Sequence, residues 1–68
     1  MKDNKKLRFR TTELRTYRKS NYAKDVYFER LDDALDFARN QKMKHPQSNK
    51  INGCVYDTVE FKTYRIRL

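Results

Sequence analysis

The chain has 68 residues, with 17 Lys and Arg against nine Asp and Glu, a formal net charge of +8, and one each of Gly, Pro, Cys and His. One domain is the limit at this length, and Cys54 and His45, each alone, supply neither an internal disulfide nor a structural zinc site. Apolar runs reach only two or three residues, as in Val26-Tyr27-Phe28. With no membrane span, no apolar stretch after the charged N-terminus and an unpaired thiol, a soluble cytoplasmic protein is expected, without cofactor or bound metal.

The charge is uneven. Residues 1–24 carry a net +7, residues 25–36 a net −4 and residues 37–68 a net +5. Residues 1–6 read as a flexible basic arm bearing Lys2, Lys5 and Lys6, and residues 7–68 as a single α+β domain. From Leu7 to Arg18, Leu7, Phe9, Thr11 and Tyr17 share one parity, while Arg8, Arg10, Thr12, Thr16 and Arg18 share the other. Such alternation predicts a strand with an apolar and a basic face. Glu13, Leu14 and Arg15 break the pattern, which calls for a bulge or register change near Thr11–Glu13. A short helix over residues 12–19 is the competing assignment, since Leu14 and Tyr17 are three apart. Ser20-Asn21 marks a turn, and Asp25–Glu29 reads as the second strand of a hairpin.

Leu31, Ala34, Leu35 and Ala38 recur at the spacing of one helical face, with Phe37 on its flank. Asp32 and Asp33 fall in the first turn and Lys42 and Lys44 in the last, both favoured by the helix dipole. His45-Pro46 ends the helix, because the residue before proline is pushed out of the α region. Gln47 to Lys50 forms a polar loop. Beyond it Ile51, Gly53 and Val55 hold one register and Tyr64, Ile66 and Leu68 the other. A turn or bulge near Asp57–Glu60 would bring both sets to the core as a second hairpin, with Asn52-Gly53 as a rival turn. The expected architecture is ββαββ, a small antiparallel sheet with one helix packed on one face.

Chemistry-bearing patterns are few. A single glycine excludes glycine-rich phosphate loops, dinucleotide fingerprints and the glycine-containing RNA-recognition signature. With one helix there is no helix-turn-helix, so a major groove would be read by a β-ribbon, and single strands or RNA would lie on the sheet. His45 has the chemistry of a general acid or base in a small nuclease, with Lys44 or an arginine to steady phosphate charge, but a histidine at a helix end more often complements the dipole. No catalytic residue is assigned.

What remains is arginine interleaved with aromatics. Arg8 and Arg10, two apart on a strand, are expected to point the same way, about 6.6–6.8 Å apart, and Arg65 and Arg67 likewise. Guanidinium groups bind phosphate bidentately and stack on bases. These four, flanked by Arg18 and Lys19, are the expected contacts of a nucleic-acid-binding accessory or regulatory protein. Tyr17 and Tyr64 would stack on bases where exposed. The bland reading is the wet face of a half-buried sheet. The alternative function is a protein-binding module or inhibitor that docks through Asp32, Asp33 and Asp36, its tyrosines or a free edge strand.

Overall fold

A computed structural model describes residues 7–67; the basic arm at residues 1–6 and Leu68 lie outside the described residues. Five elements follow one another: β1 (Phe9–Tyr17), β2 (Ser20–Phe28), α1 (Leu31–Lys44), β3 (Cys54–Asp57) and β4 (Lys62–Arg65). All neighbouring strands are antiparallel, in the order β2-β1-β3-β4. This is the α+β class and the ββαββ order that the sequence predicts. No described helix is long and apolar enough to cross a membrane.

β1 and β2 pair without interruption from Phe9↔Phe28 to Tyr17↔Ser20. The expected bulge near Thr11–Glu13 is therefore absent, as is the alternative helix over residues 12–19. The parity conflict is relieved in another way, because the hairpin outruns the helix and its side chains from Arg15 to Asp25 are exposed on both faces. The turn sits at Arg18-Lys19, ahead of the expected Ser20-Asn21, and β2 starts five residues before Asp25. Arg18 has φ +59°, at the first central position of a two-residue hairpin, where glycine is usual. Arg18→Gly should consequently raise the thermal midpoint by about 2–4 °C, read by circular dichroism. A fall would mean that the side chain itself holds the turn.

α1 lies on one face of the sheet. Ala34 and Ala38 are buried with Phe9 and Val55, and Phe28, Leu31, Leu35, Tyr64 and Ile66 pack around them. Small residues at the contact let helix and sheet approach closely. The buried Gln41 bridges the two layers, its Oε1 accepting the Leu14 N–H at 3.0 Å. The helix stops where proline requires, with the His45 N–H donating to the Gln41 carbonyl at 3.0 Å.

β3 and β4 are joined by the four residues Thr58–Phe61. That length switches parity, so Val55 pairs with Tyr64 and both meet the helix, as the two registers of the sequence require. Asn52-Gly53 makes no hairpin. Gly53, at φ +69°, leads into β3, and a Cβ there would sit 3.1 Å from Ile66 Cδ1.

Candidate nucleic-acid interface

The register assigns each side chain to a face. Phe9, Thr11, Phe28, Val55 and Tyr64 face the helix, whereas Arg10, Thr12, Asp25, Tyr27, Cys54, Tyr56, Thr63 and Arg65 share the open face. Arg10 stands opposite Tyr56, its guanidinium carbon 4.9 Å from that ring's centroid. Stacking of this kind fixes a flexible side chain while leaving its N–H groups to donate. Arg65 is two strands away and displaced by two residues, about 12 Å from Arg10 by sheet geometry. Between them the face sinks into a shallow concavity of about 450 Å³ that includes Thr12, Cys54 and Thr63. It opens because β3 pairs with β1 only at Phe9 and Arg10. Past that point the Thr11 hydroxyl donates to the Cys54 carbonyl at 2.9 Å, and the Cys54 N–H turns to Asn52 Oδ1 at 3.1 Å. Asp25 is the single acid lining this concavity among the described residues.

Arg8 is not part of that face. Its Nε and Nη2 donate to the two carboxylate oxygens of Asp57 at 2.8 and 2.7 Å, and its guanidinium carbon lies 4.9 Å from the Phe9 ring centroid. Arg8 and Arg10 thus do not point the same way, and the grouping of Arg8 with the free arginines is corrected. The cause is Asp57, whose carboxylate has no exposed surface and must be paired. Asp57 Oδ1 also accepts the Val59 and Glu60 amides at 2.9 and 3.1 Å. The Arg8 hydrogen bond, helped by those amides, holds the carboxyl well below the usual carboxylate range and raises the guanidinium in return. Glu60, 3.6 Å from Nη2, adds a second acid.

The other sequence-predicted residues divide by position. Tyr64 belongs to the helix face and is half-buried against the core, so it offers no stacking surface. Tyr17 is exposed at the hairpin end, with the Arg18 guanidinium carbon 5.3 Å from its ring centroid and Lys19 exposed beside it. Arg65 and Arg67 line a groove of about 250 Å³ with Arg39 and Asp36 of α1, which carries the basic surface around the β4 edge. Asp32, Asp33 and Asp36 are exposed along the helix, and Arg30 approaches Asp32 at 3.8 Å.

Four residues escape the sequence reading. Tyr56 carried a signal, since it alternates with core Val55 and so belongs to the opposite face. Arg15 and Lys24 sit on the hairpin beyond the helix, where parity no longer reports burial. Arg39 joins Arg65 only through tertiary packing, which no local pattern announces. Comparison of the chain with protein-family models, characterised proteins and solved structures gives no match.

Proposed function

We propose that this protein is a small, non-catalytic accessory or regulatory factor that binds nucleic acid, largely through phosphates. One observation carries the reading. Of the fourteen Lys and Arg side chains at residues 7–67, only Arg8, Arg15, Arg30 and Lys62 lie within 4.0 Å of a carboxylate among the described residues. Solubility alone is served by mixed, paired charge; here Arg10 lies on the open face, Arg65 and Arg67 stand at the β4 edge beside Arg39, and Arg18 and Lys19 crown the hairpin. Such a surface draws polyanions at long range and meets phosphate at contact. A reducing cytoplasmic setting suits the unpaired Cys54 thiol.

Asp25 supplies a test whose sign is specific to this function. Lying beside Arg10 in the concavity, it repels an approaching phosphate. Asp25→Asn should therefore tighten binding of a labelled oligonucleotide by about two- to fivefold at ~50 mM salt. Unchanged or weaker binding would place phosphate elsewhere than on the open face.

A second reading rests on β2, whose outer edge from Ser20 to Phe28 pairs with no other described strand. A partner protein would add its own strand there, steered by Asp32, Asp33 and Asp36. Reversing those three charges should then abolish capture of the partner; recovery of the same partner by the reversed variant would exclude it.

A further inference from the structure

The β1–β2 hairpin has the shape and charge of a duplex-DNA reader, and we infer that it enters the major groove of B-form DNA as a two-stranded ribbon. This rests on the nucleic-acid reading above and names its ligand class. Among the described residues the hairpin is held to the rest of the domain along Phe9–Leu14. Pairing with β3 ends at Arg10, and its N–H bond to the helix is made at Leu14 by Gln41. Beyond Leu14 the paired strands continue to Tyr17↔Ser20 before the turn, a projection of about 10–14 Å. The major groove is about 12 Å wide and 8.5 Å deep and admits a two-stranded ribbon.

Chemistry follows the two faces of this projection. Thr16, Asn21 and Ala23, continuous with Leu14, present short uncharged side chains on one face. Short side chains let the backbone approach the groove floor, where Thr and Asn are suited to base edges and Ala to a thymine methyl group. The Thr16 hydroxyl donates to Asn21 Oδ1 at 2.9 Å, which fixes the pair and leaves the Asn21 amide nitrogen as the donor for a base acceptor. The opposite face carries Arg15 and Lys24 on either side of Glu13, to whose Oε1 Arg15 Nε donates at 3.1 Å. The turn carries Arg18 and Lys19, free of carboxylate partners among the described residues, and all four side chains are long enough to reach the flanking phosphates.

Other nucleic acids fit less well. A-form RNA has a deep, narrow major groove that excludes such a ribbon. Single strands bind through open aromatic platforms. On this protein the Arg10 guanidinium lies over Tyr56 and that of Arg18 over Tyr17, while the exposed Tyr22 and Tyr27 stand on opposite faces of the hairpin and Phe61 in the β3–β4 turn, so they form no shared platform.

The test uses the full chain with three ligands of one ~20-nucleotide sequence: DNA duplex, single-stranded DNA and RNA duplex, followed by anisotropy at ~100 mM salt. The DNA duplex should bind at least about tenfold tighter than the other two. Arg18→Gly with Lys19→Ser, which keeps a favourable turn, should weaken duplex binding by about tenfold and make its salt slope shallower by roughly 2. Lys24→Ala, remote from the turn, should reduce that slope by roughly 1. Equal affinity for all three ligands, or undiminished duplex binding by both folded variants, would overturn the ribbon assignment. Tightest binding to single strands or RNA would do the same while leaving the nucleic-acid reading intact. Absence of binding to every ligand would remove both.

Discussion

Asp57→Ala should lower the thermal midpoint by more than about 10 °C, the largest loss of stability expected from any single substitution in this chain. The Asp57 carboxylate accepts from Arg8 Nε, Arg8 Nη2 and the Val59 and Glu60 amides, and has no exposed surface. It thereby ties the residue before β1 to the end of β3 and to the β3–β4 turn. Thr58 reinforces the junction, its N–H and hydroxyl donating to the Arg8 carbonyl at 3.0 and 2.7 Å. Alanine would leave a guanidinium without its main partner and two amides unpaired, in a domain whose margin is thin. Arg8→Ala should be destabilising in the same direction, because it leaves the buried carboxylate alone.

The same pair predicts acid sensitivity. Asp57 is held below its ordinary pKa of 3.8 in the folded state, so the unfolded chain takes up the proton first. Its contribution is complete above the unfolded pKa and declines as the pH falls from about 5 towards 2. Melts at pH 7 and pH 3 should show a larger drop for the parent protein than for Asp57→Asn, which has no charge to lose. Parallel drops in the two proteins would show that other carboxylates govern the acid response.

Arg10→Glu combined with Arg65→Glu should reduce nucleic-acid affinity by more than about 100-fold at ~100 mM salt, with the fold intact. Each replacement exchanges an attraction for a repulsion at a proposed point of phosphate contact, and removal of two contacts alone changes the salt slope by about 1.4–1.8. Neither arginine has a carboxylate partner within 4.0 Å among the described residues, so folding does not depend on their charge. Circular dichroism would confirm the fold before binding is read. A folded double variant that binds as tightly as the parent would remove the open face from the site.

How far the sequence speaks varies along the chain. Leu31, Ala34, Leu35 and Ala38, the acidic first turn and His45-Pro46 are local signals, and α1 runs from Leu31 to Lys44 as they require. The parity switch between Val55 and Tyr64 likewise locates the second hairpin, because a half-buried strand has only one permissible register. The Arg18-Lys19 turn was not legible, since an arginine at positive φ violates the residue preference on which turn assignment rests. The expected bulge rests on a rule that holds only while a strand is covered, and β1 outruns its cover after Leu14. Strand parity misplaces Arg8 for a different reason: Asp57 lies 49 residues away, and nothing in either neighbourhood reports the pair. Of the open face, Arg10, Tyr56 and Arg65 are legible from strand parity, while the Arg10–Tyr56 stack and the Arg39 neighbour depend on packing.

The most direct test of nucleic-acid binding is a salt titration of the parent protein with a labelled DNA duplex, from about 50 to 200 mM. Several phosphate contacts predict submicromolar to micromolar binding at the lower salt and a log–log slope of about −3 or steeper. Absence of binding at 50 mM, or affinity that does not change with salt, would contradict the account and leave the arginines as a solvated face.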